Sequence, residues 1–412
     1  MVFKCQEDSF LKEYSSKVIS CEKGQIKIVY NGKKADLSGY EVVMEDTILF
    51  PEGGGQPSDH GFLDELAVLQ VTRRGTQAIH FVETPLPIGK TVKQTINWER
   101  RLDHMQQHSG QHLITAIADQ EFGYSTTSWW LGEEESYIEL DTPSMKAVEL
   151  ENLEKNVNEK IRAGTPVIVT VYDDVNDPKL NNVRTRGLPE DHKGQVRVVT
   201  IEGLENNMCC GTHVSNLSQL QVIKILRVEK GKKNKSNLFF IAGGRVVKHL
   251  SLCLQREQKL TSLLKNAPAD HVDLVDKLQK SLKIANKNLQ TVLKDLAVNE
   301  AGKLKQQVPQ PLYFSLHRKE AESDFMSIFI NEIGDANILL FLTVGEDKGA
   351  GQMVLHGQAD IVSKLGPQIC DILKGKGAGK GTKFQAKVSN LAKRSDAEQL
   401  IKQYFSSTTN GC

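Results

Sequence analysis

The pattern of apolar and polar positions changes along the chain. From the start to about residue 95, short β-branched runs at 17–20, 25–29 and 41–44 alternate with glycine and asparagine turns. Runs of this kind, bounded by turn residues, are typical of short strands. We therefore predict a small N-terminal β-barrel over residues 1–95, with a curled sheet as the alternative.

The second region, residues 96–245, begins with a helical segment that carries several histidines. Strand-like runs follow, and those at 196–201 and 221–226 lie on either side of a cysteine motif. Helices and strands in this order favour an α+β domain, with a candidate site between a helix and a sheet.

Residues 246–412 are mainly helical at first, and the break Asn-Ala-Pro-Ala-Asp at 266–270 predicts a helical hairpin. The second helix carries an apolar heptad seam at Val275, Leu278, Leu282, Ala285, Leu289, Val292 and Leu296. Three heptads favour packing within the chain over an obligate dimer. Strand-like runs at 312–316 and 338–344 then predict a small α/β domain, so the whole chain is expected to be α+β.

Composition adds limits to this picture. The chain has 412 residues and a formal net charge of +1, so any attraction for a polyanion must come from local clusters. No apolar run approaches the roughly 18 residues that span a bilayer, and the first residues lack the apolar segment of a signal peptide. We expect a cytoplasmic protein that binds neither membrane nor DNA, with a monomer as the favoured state.

The cysteines do not resemble a disulfide framework. The seven cysteines lie at positions 5, 21, 209, 210, 253, 370 and 412. An odd, scattered set in a protein without secretion signals favours reduced thiols. We expect free cysteines, one of which is a metal ligand.

Two short motifs a hundred residues apart carry the candidate metal ligands. His108 and His112 are spaced i, i+4, so a helix places both imidazoles on one face. Cys209 and His213 have the same separation, and Gly211 between them allows a tight turn. Three imidazoles and one thiolate suit tetrahedral zinc. The sequence therefore predicts one zinc ion per chain.

A third histidine leaves an alternative open. His104, His108 and His112 lie at successive four-residue steps, and each step rises roughly 6 Å along a helix. Because zinc binds nitrogen at about 2 Å, His104 and His112 cannot both reach one ion. Spacing alone does not decide which of the two is the ligand.

Glycine and lysine are concentrated in three further segments. Gly53, Gly54 and Gly55 form an unbroken triplet, which requires a sharp bend or a close approach. The segments 230–235 and 374–383 combine lysine with glycine, which suits phosphate contacts without base reading. A solvated loop is the alternative for each. The lysines that we select as polyanion contacts are Lys232, Lys233, Lys376 and Lys380.

The chain resembles the free-standing alanyl-tRNA editing proteins of the AlaX group, in their long form. Four elements in the expected order carry the resemblance: the glycine triplet, the HxxxH motif, the CxxxH motif and the C-terminal glycine-lysine segment. The resemblance covers nearly the whole chain. It implies that His108, His112, Cys209 and His213 are the zinc ligands. Cys210 stands where many relatives have glycine, so it is a poor ligand candidate.

The resemblance also implies a reaction, the hydrolysis in trans of the ester that joins serine, and as a second candidate glycine, to tRNA(Ala). A pocket for alanine rejects serine poorly, because an added hydroxyl costs little. An editing site therefore needs a polar partner for the seryl hydroxyl. Our candidates are Thr126, Thr127 and Ser128, with the glycine triplet as a wall of the pocket and the C-terminal segment as a contact with tRNA.

The chemistry at the ion stays open at this point. Four protein ligands are typical of a structural zinc, whereas a hydrolytic zinc keeps a position for water. One ligand could leave, the ion could become five-coordinate, or zinc could only orient the substrate. Gln111 and Gln56 are the candidates for positioning the attacking water.

Three other interpretations remain. The protein could bind tRNA with a structural zinc and no catalysis. Gly54-Gly55-Gln56 is similar to the ester-hydrolysing tripeptide of translation release factors, but over three residues only. A general metallohydrolase would show no dependence on tRNA.

Overall fold

The computed structural model describes residues 2–30, 33–181, 183–185, 194–320, 323–334, 337–347 and 349–409. The chain forms two compact units, Met1–Lys259 and Leu260–Cys412. Within the described residues, no helix is both long and apolar enough to cross a membrane. The finer division into 1–95, 96–245 and 246–412 stays a prediction.

The first unit begins with a short helix and a seven-stranded sheet. Its elements are α1 (Lys4–Glu7), β1 (Glu13–Tyr30), β2 (Lys33–Met44), β3 (Gly61–Leu63), β4 (Leu66–Val68), β5 (Gln70–Arg74), β6 (Gln77–Val82) and β7 (Thr91–Ile96). The order in the sheet is β4-β3-β7-β1-β2-β6-β5. Strand β1 is long enough to pair with β7 through residues 13–17 and with β2 through most of its remaining length.

The sheet curves so strongly that its two ends share one core. Leu63 and Val68 from one end are buried in the same cluster as Val71 and Val82 from the other. However, among the described strands, the two at the ends of the sheet, β4 and β5, do not form hydrogen bonds with each other. The alternative of a curled sheet therefore agrees with the structure, and the prediction of a closed barrel is wrong.

A second layer of the first unit contains helices packed on two smaller sheets. Its elements are α2 (Trp98–Phe122), β8 (Thr126–Leu131), β9 (Ser136–Leu140), α3 (Ala147–Arg162), β10 (Val167–Tyr172), β11 (Val196–Ile201), β12 (Glu205–Met208), β13 (Ile223–Lys230), β14 (Ser236–Ala242) and α4 (Gly244–Leu264). The sheets have the orders β13-β14-β9-β8 and β10-β11-β12. The predicted α+β arrangement around the two motifs is confirmed.

Helix α2 carries the histidines through the centre of this layer. The Asn97 side chain caps its N-terminus by accepting from the Arg100 amide, as polar caps commonly do. Gly123 ends the helix in the left-handed conformation, with φ of 68°. Met105, Leu113 and other residues of its middle turns are buried in the central core, so the helix is fixed along most of its length.

The second unit is a five-stranded sheet flanked by helices. Its elements are α5 (His271–Lys305), β15 (Tyr313–Arg318), α6 (Ser323–Ile333), β16 (Leu339–Gly345), β17 (Gly351–His356), α7 (Ala359–Ile372), β18 (Lys376–Lys380), β19 (Lys383–Val388) and α8 (Arg394–Thr409). The order is β15-β16-β17-β19-β18, with β15 and β16 parallel and the other pairs antiparallel. The predicted strands at 312–316 and 338–344 correspond to β15 and β16.

Two expectations for the second unit need correction. The heptad positions lie on α5, but Leu278, Leu282 and Val292 are 57%, 62% and 62% exposed, so this seam is not packed along its length. The glycine-lysine segment is a hairpin of β18 and β19 rather than a loop. Cys412, one of the seven cysteines, lies outside the described residues.

Candidate metal centre

Four side chains from two parts of the first unit converge. His108 and His112 come from α2, and Cys209 and His213 come from the turn that follows β12. Their ligand atoms all lie within 4.8 Å of one another. The Nε2 atoms of His108 and His213 are 3.5 and 3.2 Å from the Cys209 sulfur. The predicted ligand set is therefore brought together by the fold.

The outer nitrogens of the three imidazoles are held by neighbouring side chains. The Nδ1 contacts are His108 with Gln56 (2.9 Å), His213 with Ser109 (3.1 Å) and His112 with Glu205 (3.3 Å). Gln56 and Glu205 present an oxygen that only accepts, so Nδ1 of His108 and His112 carries the proton. In their neutral form, which zinc binding requires, both imidazoles then direct the Nε2 lone pair toward the cluster.

The electrostatics of the cluster favour a thiolate. Burial opposes ionisation of Cys209, but the neighbouring His108 and His213 outweigh it and hold the pKa of the thiol well below its usual value. Burial also opposes charge on His112, yet its hydrogen bonds with Cys209 and Glu205 raise its pKa to about 10. Burial lowers the pKa of His213 to about 3. A thiolate among imidazoles is what a metal ion requires.

The cluster fits zinc by donor type and spacing. Tetrahedral zinc, with bonds of about 2.0 Å to nitrogen and 2.3 Å to sulfur, places those donors about 3.5 Å apart. The distances from the Cys209 sulfur to His108 and His213 agree with that separation. Three neutral nitrogens and one thiolate are also a common zinc set. These four residues could therefore hold one zinc ion.

His104 is separate from the cluster. It lies one turn before His108 on α2 and is 6% exposed, but the four convergent ligands do not include it. Burial, reinforced by the charge of Arg100, lowers the pKa of His104 to about 4. The structure thus selects His112 over His104, which spacing alone did not.

The turn from Cys209 to His213 is pressed against α2 and the glycine triplet. A Cβ at Gly211 would overlap the His108 imidazole, so glycine permits this close approach. The Cys210 sulfur faces Gly54, at 2.9 Å from where a Cβ of that glycine would lie. Burial raises the pKa of Cys210 to about 11. Cys210 is not among the four convergent residues.

The N-terminal segment holds this turn in place. Gln6 donates its side-chain amide to the Cys210 carbonyl at 2.7 Å. Arg197, which is 6% exposed, donates to the carbonyls of Gln6 and Cys209 at 2.9 and 2.7 Å. Sequence reasoning missed both residues, because nothing in the local pattern links position 6 to position 210.

The glycine triplet is fixed from both sides. Gly54 and Gly55 have φ of 59° and 79°, and a Cβ at Gly55 would meet the Trp129 indole. Beyond the triplet, Asp59 accepts from the Phe50 amide at 2.7 Å and forms a fully buried ion pair with Arg101. This pair ties the glycine segment to α2.

Gln56 is fully buried at the end of the triplet. Its Oε1 accepts from the Thr212 amide at 3.0 Å as well as from His108, and its Nε2 donates to the Thr212 hydroxyl at 2.8 Å. These contacts engage both ends of the side-chain amide. They join the glycine segment, the histidine helix and the cysteine turn.

The remaining candidate residues fall into two groups. Gln111, which is 2% exposed, donates to Thr115 at 3.0 Å, and Thr115 lies 2.9 Å from the Thr126 hydroxyl. Gln111 Oε1 is buried without a hydrogen-bond partner among the described residues. Thr127 instead donates to Glu139 at 2.6 Å. The structure therefore connects Thr126 with the histidine helix through Thr115, which sequence reasoning missed.

The predicted lysine contacts lie on two hairpins. Lys232 and Lys233 are exposed in the turn between β13 and β14. Lys376 and Lys380 are exposed on β18, where they pair directly with Lys387 and Lys383 of β19. Like charges in directly opposite positions repel each other, so an anion on this face would relieve the repulsion.

The structure is thus that of a protein of mixed α and β structure, with three histidines and one cysteine that could hold a metal ion beside a glycine-rich loop. Residues 196–242, which include the cysteine motif, match the family described as threonyl and alanyl tRNA synthetase second additional domain. The matched residues include Cys209 and His213, whereas His108 and His112 lie outside them.

Curated relatives extend the similarity to the whole chain. The alanyl-tRNA editing protein Aarsd1-B of Xenopus laevis is 52% identical over 407 residues, 99% of this chain and 98% of the relative. Aarsd1 of Mus musculus is 53% identical, with 98% of each chain covered. The putative alanyl-tRNA editing protein alaX of Saccharomyces cerevisiae is 28% identical, over 94% of this chain and 93% of its own. The chain belongs to the alanyl-tRNA editing protein family.

Proposed function

We propose that the protein is a zinc-dependent deacylase that acts in trans on tRNA(Ala) mischarged with serine, and that glycine is a second substrate. The observation that carries the proposal is the convergence of three imidazoles and one thiolate within 4.8 Å. The names of the relatives, alanyl-tRNA editing proteins, supply the substrate class. We propose the cytoplasm as the place of action.

The chain's own side chains prepare the site. When bound, zinc supplies a Lewis acid that can polarise an ester carbonyl or a water molecule. Gln56 and Glu205 keep the protons of His108 and His112 on Nδ1, at the side away from the cluster. Because Gln56 is engaged in this way, we assign it as a positioning residue. Gln111, whose Oε1 is buried without a partner among the described residues, is our candidate for holding the attacking water.

Serine selectivity would rest on Thr126. Its hydroxyl continues the chain of hydrogen bonds from Gln111 through Thr115, whereas Thr127 is engaged with Glu139. A hydroxyl that can bind the seryl hydroxyl gains a hydrogen bond that alanine cannot form. Thr126→Val should therefore lower the preference for seryl over alanyl ester, with Thr127→Val as the matched control. Equal preference in both variants would remove this assignment.

Contact with the tRNA backbone would come from the exposed lysines. The face of β18 and β19 carries Lys376, Lys380, Lys383 and Lys387 as two opposed pairs. Lysines without base-specific geometry hold phosphates and fix position on a nucleic acid. We propose this face as the second unit's contribution to substrate binding, with Lys232 and Lys233 as a further contact from the first unit.

The test uses Ser-tRNA(Ala) and Ala-tRNA(Ala) as substrates. The wild-type protein should release serine and spare alanine, and Cys209→Ala should lose both zinc and activity. Cys210→Ala is the matched control, because its thiol is outside the cluster. Gln111→Ala should retain zinc but deacylate more slowly. Full activity of Gln111→Ala would contradict its role, and two stable esters with wild-type protein would contradict the function.

One observation favours a second candidate, a tRNA-binding protein with a structural zinc. The site offers four protein ligands, and a closed tetrahedral set is typical of structural zinc. In that case zinc removal would unfold the first unit, and the wild-type protein would bind tRNA(Ala) without cleaving either ester.

A further inference from the structure

A cleft lies beside the metal centre and takes no part in holding the ion. It has a volume of about 540 Å³, and its lining includes Glu52, Gln56, Arg73 and Trp130. Its floor includes Gln56, the same side chain that contacts His108 at 2.9 Å. The side-chain amide of Gln56 and the imidazole of His108 therefore lie between the cleft and the predicted position of the ion.

The cleft presents an exposed indole. Trp130 is 54% exposed, which is unusual for so large an aromatic side chain. Its six-membered ring lies against Gly132, where a Cβ would overlap it, and its centroid is 5.9 Å from that of Tyr137. The indole therefore packs against Gly132 and lies near Tyr137, while much of its surface is exposed to solvent.

The positively charged side chain of Arg73 also lines the cleft. Arg73 lies on β5, donates to the Gly75 carbonyl at 3.1 Å and stands 5.5 Å from the Phe3 ring. Glu52 also lines the cleft, and its carboxylate offsets the formal charge of Arg73. The neighbouring Arg74, by contrast, is paired with Glu41 at 3.0 Å and is outside the lining. The cleft therefore combines an aromatic surface with one cation rather than a strong positive field.

We propose that this cleft binds the single-stranded 3′ end of the tRNA, with a nucleobase stacked on Trp130 and an adjoining phosphate at Arg73. The inference rests on the proposed function and names the part of the substrate that the cleft takes. Aromatic side chains bind unpaired bases by stacking, whatever their identity. Because Gln56 lines the cleft and contacts His108, the cleft lies next to the place where the ester would bind.

The experiment measures binding rather than hydrolysis. The probe is an RNA minihelix of the tRNA(Ala) acceptor stem that ends in unpaired CCA, compared with the same minihelix without those three nucleotides. The wild-type protein should bind the CCA-ended probe about ten-fold more tightly. Trp130→Ala should abolish that difference, whereas Trp130→Phe, which keeps an aromatic face, should restore most of it. Zinc content, measured in parallel, should be equal in all three proteins.

Arg73 has a matched control on the same strand. Arg73→Ala should lower the slope of log Kd against log salt concentration by about 1, and Arg74→Ala should leave it unchanged. If wild-type protein binds both minihelices equally, or if Trp130→Ala keeps the preference, the inference is wrong even where deacylation is intact. If wild-type protein cleaves no ester but its CCA preference depends on Trp130, the cleft is upheld and the proposed function fails.

Discussion

Two segments, one in each unit, are both rich in glycine but have opposite surroundings. Gly53 to Gly55 are followed by a fully buried Gln56, which contacts His108 and Thr212. In β18, Gly377 and Gly379 alternate with other small or lysine residues on an exposed edge strand. In the first segment glycine brings backbone against the cysteine turn and an indole. In the second it brings one strand close to another.

The glycines of the two segments permit different kinds of interaction. The first segment supports hydrogen bonds whose geometry is fixed by buried neighbours, and a buried amide left unpaired is costly. The second supports charges that are exposed and therefore screened by salt. The first segment should consequently respond to changes of shape, and the second to changes of charge and ionic strength.

The largest effect should come from filling space in the first segment. Gly55→Ala places a Cβ against Trp129 at a φ of 79°. Left-handed strain of about 1–2 kcal/mol adds to overpacking of about 1–3 kcal/mol. Gly381→Ala, at a φ of 63° with nothing within 4 Å, carries the strain alone. Urea unfolding should show a larger loss for Gly55→Ala, and equal losses would contradict the comparison.

The buried polar groups of the first unit should also respond to acid. His80 lies 3.1 Å from the Val42 carbonyl, and burial lowers its pKa to about 4. Because the folded state binds fewer protons than the unfolded state, stability is complete above pH 6.5 and is lost as the pH falls to about 4. The shift corresponds to roughly 3 kcal/mol.

The variant His80→Gln tests this prediction. Its unfolding free energy should decline less than that of the wild type between pH 6.5 and 4, as measured by urea titration at each pH. Lys376→Ala, an exposed position of the second unit, is the control and should keep the wild-type acid response. A parallel decline in His80→Gln and wild type would show that the imidazole does not contribute.

A smaller effect is expected from Gln56→Ala. The change leaves Nδ1 of His108 and the amide of Thr212 without their shared acceptor. Loss of a hydrogen bond to a ligand histidine typically weakens metal binding 10- to 100-fold. Competition with a chelator should measure the change, with Gln111→Ala as the control. Unchanged zinc affinity in Gln56→Ala would contradict its positioning role.

The smallest effect per residue should come from the lysines. Replacing Lys376, Lys380, Lys383 and Lys387 with alanine removes two like-charge pairs, so stability should stay the same or rise slightly. The affinity for tRNA should fall, and the slope against log salt concentration should decrease by about 0.7–0.9 for each phosphate that a lysine no longer neutralises. Zinc content should not change. An unaltered salt slope would remove this face from the tRNA-binding surface.

Sequence patterns predicted those parts of the site whose residues lie close together in the chain. The i, i+4 spacing on one helix and the CxxxH turn were sufficient to select the four convergent residues together with the alternative His104. The resemblance to a known family selected His112 over His104 before the fold did. Contacts between distant positions were not predictable, as with Gln6 and Cys210, or Glu205 and His112. Such pairs depend on how separate elements pack.

The two corrections in the second unit have physical reasons of the same kind. Lys374 to Lys383 has the composition of a loop, but Ala378 and its neighbours gain a hydrogen-bonded partner in β19, and tertiary pairing overrides local propensity. The heptad on α5 has a correct period, yet Leu278 and Leu282 are exposed. A period specifies an apolar face without specifying what covers it.

The most direct test of the central claim is the rate of serine release from Ser-tRNA(Ala) by zinc-loaded, metal-stripped and zinc-reconstituted protein, with circular dichroism recorded on each sample. The loaded protein should be active, the stripped protein should lose activity, and return of one zinc per chain should restore it while the fold is retained. A folded, metal-stripped protein that cleaves the ester at the full rate would contradict the central claim.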